Sequence, residues 1–254
     1  MTDRTSKKIA WVSGAGKGIG RAVARRLALE GWVVAVSART TTDLASLAAE
    51  CPAGSIHPYP LDVTDKAETD KTLAVIESEL GELDLAILNA GTHSPMPAED
   101  FSVETFRLLT ETNLMGPVNG LACIIPRFIE RKRGQIAVVA SLAGYRGLPT
   151  AAGYGATKAA VVNMCEALKP ELERYGVRIS LINPGFVETP LTDRNDFPMP
   201  FLISAEAAAE RILRGLRRRQ FEIAFPWRFA VLMKLLRLLP DGLFFALTRR
   251  MVRQ

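Results

Sequence analysis

The sequence predicts an α/β fold: a doubly wound parallel sheet of about seven strands with helices on both faces. Three observations predict it. Apolar runs alternate with helical periods along the chain. Several runs are apolar throughout, as parallel strands are when helices cover both faces. The clusters rich in Gly, Asn, Asp and Ser fall just past the C-terminal ends of those runs, the edge where open α/β sheets bind ligands.

In chain order, strands are predicted over 9–12, 32–37, 56–61, 83–88, 135–140, 178–182 and 221–225. Helices are predicted over 19–29, 41–49, 66–79, 102–131, 152–175 and 205–219. Pro117 is expected to break the long fourth helix in two. After Pro226, Pro240 separates two short helical pieces. The 254 residues, 48% apolar with 19 Gly, suit one domain, with a core over about 8–225 and an extension over about 226–254.

Composition narrows the function. No apolar run reaches the roughly 18 residues of a membrane span. The first eight residues lead straight into a strand and lack a signal-peptide apolar region. Cys51, Cys123 and Cys165 are widely spaced and suggest a reducing, cytoplasmic compartment. His57 and His93 are the only histidines and form no ligand constellation, so no metal is expected. The net charge of +5 is uneven: from Arg211 onward eleven basic and two acidic residues give +9, and the rest, 21 basic and 25 acidic, gives −4. A basic tail without a groove-reading module does not indicate nucleic-acid binding.

Ser13-Gly14-Ala15-Gly16-Lys17-Gly18-Ile19-Gly20 joins the first strand to the first helix. Glycine there permits positive φ and close backbone approach to a pyrophosphate, and the helix start offers free N–H groups. At the end of the second strand, where an acid would bond a ribose 2′-OH, stands Arg39, with Lys17 on the adjacent loop. Two cations without a carboxylate suit a 2′-phosphate. That makes NADP(H) the expected cofactor, with NAD(H) the alternative. Tyr154 and Lys158, four apart at the start of a helix, share one face. A nearby ammonium favours phenolate and lowers a tyrosine pKa from about 10, giving a proton donor and acceptor near neutral pH.

Ser13-Gly14-x3-Gly18-x-Gly20, Asp62-Val63, Asn89-Ala90-Gly91, Asn113, Ser141, Tyr154-x3-Lys158, and Pro184-Gly185 with Thr189 stand in order over about 8–225. Together they resemble the short-chain dehydrogenase/reductase family, a Rossmann-type fold. The resemblance implies Tyr154 as general acid/base. It implies Lys158 as the group that lowers the tyrosine pKa and holds the nicotinamide ribose, and Ser141 as the partner of the substrate oxygen. It implies a helix-kink Asn113 whose backbone carbonyl holds a relay water. Asp62 and Val63 would meet adenine, Asn89 would brace the sheet, and Val187 and Thr189 would contact the carboxamide. Ser13, Leu88 and Ala140 depart from the usual pattern without touching the proton-transfer groups. The family also implies a carbonyl or alcohol substrate and a homodimer or homotetramer.

The segment 186–203, with Phe186, Leu191, Phe197, Met199, Phe201 and Leu202 beside Asp193, Arg194 and Asp196, corresponds to a substrate loop. His93, Met96, Leu142, Tyr145, Arg146 and Leu148 fall near the same edge, so a mostly apolar pocket is expected. The tail, apolar and basic around Trp227, Leu235 and Phe244, packs on the body, on a second subunit, or peripherally on a membrane. Oxidoreductase is the leading reading; a non-catalytic nucleotide sensor or scaffold, and an epimerase or dehydratase, are the alternatives. A lost Tyr, Lys or Ser would favour the sensor, and all three are present.

Overall fold

The computed structural model describes residues 7–194 and 199–252. Within them lie β1 (Ile9–Ser13), α1 (Gly18–Leu29), β2 (Val33–Ser37), α2 (Thr41–Ala49), β3 (Ile56–Pro58), α3 (Lys66–Leu80) and β4 (Leu85–Leu88). They continue with α4 (Val103–Thr110), α5 (Gly116–Arg131), β5 (Gln135–Val139), α6 (Ala152–Glu173), β6 (Arg178–Pro184), α7 (Ala205–Arg217) and β7 (Glu222–Phe225). Two further helices follow, α8 (Trp227–Leu238) and α9 (Asp241–Thr248).

The strands form one sheet in the order β3-β2-β1-β4-β5-β6-β7, and every neighbouring pair is parallel. The order in which strands are added reverses between β1 and β4, the switch point of a doubly wound sheet. Alternation along β1 splits the core into two layers. Ala10 and Val12 pack with Val23, Leu27, Ile212 and Leu213 of α1 and α7. Ile9 and Trp11 pack with Leu73, Ile76, Ile124, Phe128 and Val161 of α3, α5 and α6. Trp11 is fully buried, and its indole N–H donates to the Ser37 hydroxyl.

Two expectations change. The ladder of β3 ends at Pro58, although Tyr59 and Leu61 still donate to Val36 of β2 and to Ala38 just past its end. Pro58 and Pro60 have no N–H to extend it. The predicted break at Pro117 is replaced by a π-helical turn over Glu111–Met115 that joins α4 to α5. Pro117 then occupies the first turn of α5, where its missing N–H costs little.

The C-terminal extension packs on the body. Ala230 and Met233, flanked by Phe229 and Leu236, lie on Leu142, Tyr145 and Leu148. These α8 positions form one helical stripe. No helix among the described residues is long and apolar enough to cross a membrane.

Candidate active site

The strand ends assemble the predicted clusters on one edge. Gly14 and Gly18 have φ of 65° and 56°. A Cβ at Gly14 would lie 2.6 Å from Ala90 Cα, and one at Gly20 would lie 2.4 Å from Asn89 Nδ2. The loop therefore packs directly on the turn after β4. Asn89 fastens it: its amide donates to the Ser13 and Gly14 carbonyls at 3.1 and 3.0 Å, and its backbone N–H donates to the Ser13 hydroxyl at 3.0 Å. Ser13 so performs the task that a threonine hydroxyl there would perform. Thr189 closes the other side, within 2.8 Å of a Cβ at Gly18. Ile19 joins the core beneath.

No side chain caps the N-terminus of α1, whose N-cap is Lys17. An uncapped helix start above a glycine turn fits a pyrophosphate. Arg21, which sequence reasoning passed over, steadies the loop by donating to the Gly16 and Asp43 carbonyls at 3.2 and 3.0 Å. Its position one turn into the helix was the available signal. Arg39 is exposed at the end of β2, with no ion-pair partner among the described residues. Lys17 corrects the expectation of two cations without a carboxylate. The first turn of α2 brings Asp43 to 3.5 Å from its ammonium.

Asp62 bonds within its own turn, accepting from the Thr64 N–H and hydroxyl at 3.0 and 2.9 Å. Val63 packs toward Gly116. Asn119, also unforeseen, holds this turn by donating to the Val63 and Thr64 carbonyls. A buried amide in an apolar helix was the trace it left in the sequence.

At the centre of the edge, Asn113 sits in the π turn and is fully buried. Its side chain accepts from the Thr92 N–H at 2.7 Å and donates to the Thr92 carbonyl and the Thr157 hydroxyl. It thereby ties the loop after β4 to α6. Gly91 lies between Asn113 and Lys158, its notional Cβ 3.2 and 3.6 Å from Oδ1 and Nζ. Lys158 is buried, and its ammonium donates to the Val139 carbonyl at 3.0 Å. Burial pulls its pKa down to about 8.

Tyr154 departs from expectation. Burial pushes its pKa above the usual phenol value, and a hydrogen bond with Ser141 offsets this only in part. The ammonium of Lys158 lies 5.8 Å from the Tyr154 ring centroid, and it donates to a carbonyl. Desolvation therefore outweighs the expected lowering in this state. The His93 ring meets Tyr154 edge-on at 4.8 Å. Ser141 accepts from the Ala143 N–H at 3.1 Å and lies 3.4 Å from the Pro184 carbonyl, so its own turn and the end of β6 fix it jointly. Gly185 donates to the Phe225 carbonyl, and Val187 pairs with Ile203 at the base of the substrate segment.

In that segment Phe186 and Phe201 both stack on Phe229 of α8, at 5.5 and 6.1 Å. Asp196 and Phe197 lie outside the described residues. Tyr145 and Arg146 are not free to line a pocket. Tyr145 donates to Glu222, which also takes Asn183 and Lys234. Burial acts to raise the Glu222 pKa, but the bonds from Lys234, Tyr145 and Asn183 prevail and lower it. Arg146 is held by the tail, donating to the Leu236, Arg237 and Leu239 carbonyls at 3.1, 3.0 and 2.6 Å.

A glycine turn whose helix start fits a pyrophosphate, and a serine–tyrosine–lysine group two strands along the same edge, are the pattern of a dinucleotide-binding oxidoreductase. More narrowly, the short chain dehydrogenase pattern matches residues 8–197, and the chain belongs to the short-chain dehydrogenase/reductase family. An uncharacterised oxidoreductase of Myxococcus xanthus is 38% identical over 248 residues, 97% of this chain and 98% of that protein. A Burkholderia phymatum short-chain dehydrogenase/reductase solved with NAD shares the fold, with a TM-score of 0.83 and 24% identity over 92% of this chain and 94% of that one. Actinorhodin polyketide ketoreductase, solved with NADPH, gives 0.77 and 26% identity over 86% of this chain and 95% of that one.

Proposed function

We propose that the protein is an NADP(H)-dependent oxidoreductase that interconverts a carbonyl and a secondary alcohol on an apolar small molecule. The convergence of Ser141, Tyr154 and Lys158 beside the glycine loop carries this reading. Gly14, Gly18 and Gly20 with the head of α1 would hold the pyrophosphate, and Arg39 the 2′-phosphate. Asp62 and Val63 would meet adenine. Asn89, Ala90, Gly91, Pro184, Gly185, Val187 and Thr189 would border the nicotinamide half, with Lys158 on its ribose. The nicotinamide, when bound, supplies the hydride chemistry.

The protein handles the proton. The Tyr154 hydroxyl, protonated at neutral pH, would donate to a carbonyl oxygen that Ser141 orients. In the oxidative direction Tyr154 takes the proton back. The Lys158 charge then favours the phenolate, because opposite charge stabilises it. Asn113, its side chain bonded to Thr92 within the π turn, would offer its backbone carbonyl to a relay water. Phe186, Phe201 and Phe229 give the substrate side its apolar character.

Self-association belongs to the same reading. The adjacent helices α4 and α6 expose Val103, Leu108, Ala156 and Ala159, an apolar, small-residue surface suited to a second copy in a homodimer or homotetramer. Three free cysteines fit a cytoplasmic setting. The test is NADPH oxidation against a panel of aldehydes and ketones, paired with NADP+ reduction by alcohols. Turnover of apolar carbonyls is expected. Tight NADPH binding without turnover of any compound would favour a nucleotide sensor and overturn the enzyme reading.

A further inference from the structure

We infer that the outer face of the C-terminal extension docks on an anionic lipid surface. The inner stripe of α8 is spent on the body. The outer face presents large apolar side chains to water: Trp227 is 68% exposed, Leu235 57%, Leu238 79%, Leu243 61% and Phe245 55%. A contiguous display of this kind marks an interaction surface. Arg228 and Arg237 are exposed on α8, and Arg249 and Arg250 are exposed in the turn that follows α9.

Charge decides the occupant. From residue 227 to 254 the sequence holds six basic residues and one acid, Asp241. That acid is already ion-paired with Arg146 at 2.6 Å. A two-fold pairing of this face with its own copy would set arginine against arginine with no carboxylate to answer it. An anionic bilayer answers both features, taking the apolar side chains below the headgroups and pairing the arginines with lipid phosphates. Length fixes the mode. The 12 residues of α8 span only about 18 Å, against about 30 Å of hydrocarbon, so the helix lies in the interface. Phe229, on the inner face, stacks on the substrate segment, so docking brings the substrate edge to the lipid.

Full-length protein is mixed with vesicles of phosphatidylcholine alone or with 30% phosphatidylglycerol, floated on a gradient, and followed by tryptophan emission with brominated lipid as quencher. The protein is expected to float only with the anionic vesicles, to be released by about 0.5 M NaCl, and to show quenching that Trp227→Phe removes. Arg228→Gln/Arg237→Gln/Arg250→Gln should weaken partitioning by about a hundredfold, and Leu235→Ser/Leu238→Ser by at least tenfold. All variants should keep NADPH binding. Absence of flotation, or equal flotation on neutral vesicles, overturns the proposal. So does a dimer, seen by sedimentation, that the leucine pair alone dissolves without any lipid binding. None of these readouts depends on turnover, so docking and the proposed catalysis fail or stand separately.

Discussion

Replacing Arg146 with alanine should release the C-terminal extension while leaving the sheet intact. The guanidinium donates one nitrogen to three carbonyls at the end of α8 and stacks over the Phe244 ring at 4.0 Å. A hydrogen bond from a charged group contributes roughly 1.5–3 kcal/mol. One such value covers three carbonyls that share a single donor atom. The cation–π contact adds about 1 kcal/mol. The ion pair adds little, because Asp241 is 83% exposed. Together this is about 3 kcal/mol, or about a hundredfold in the local opening equilibrium. Amide hydrogen exchange reads it directly. Peptides covering α8 and α9 should exchange about a hundredfold faster, and those of β1, β4 and β5 should not change. Because Phe229 roofs the substrate segment, kcat/KM should fall while NADPH affinity holds. Arg146→Lys should recover little, since an ammonium lacks the planar fork. Unchanged exchange in the tail would refute the clamp.

Three further outcomes are expected. Arg39→Ala should weaken NADPH at least about tenfold and leave NADH nearly untouched, measured by cofactor titration; equal loss for both would remove Arg39 from the 2′-phosphate site. Gly14→Ala should destroy dinucleotide binding and lower Tm, because a Cβ would sit 2.6 Å from Ala90 Cα at a φ of 65°; a well-folded variant with wild-type affinity would contradict the cradle. Cofactor-free protein should gain stability as pH rises from about 8 to about 10.5, because Lys158 carries a depressed pKa and the unfolded chain binds more protons over that window. The gain is about 3 kcal/mol at most. Denaturant titrations of wild type and Lys158→Met should differ in this slope, and parallel profiles would show that Lys158 is not the cause.

Local patterns made the strands, the helices and the glycine loop legible, because each rests on residues adjacent in the chain. Tyr154-x3-Lys158 was legible for the same reason. What escaped depended on contacts between distant segments. Asp43 reaches Lys17 only once α2 folds against the loop after β1. Asn119 meets the Val63 turn across 56 residues. Tyr145 and Arg146 looked like pocket residues because they follow Ser141, yet their partners, Glu222 and α8, come about 80 residues later. The π turn was hidden because Pro117 suggests a break, whereas the wider turn absorbs it one residue into α5. The phenol shift of Tyr154 was misjudged because spacing reports the nearness of Lys158 but says nothing of burial. The tail's amphipathic character was plain in sequence, but which stripe faces the body required the fold.

Tyr154→Phe tests the central claim most directly. The substitution keeps the ring and its contact with His93 and removes only the hydroxyl. Single-turnover NADPH oxidation, with a carbonyl substrate found by the panel, should slow by about 10²- to 10⁴-fold. NADPH affinity should be preserved, and the pH dependence of the wild-type chemical step should vanish. A variant that keeps more than half the wild-type single-turnover rate would contradict the assignment of Tyr154 as the proton donor.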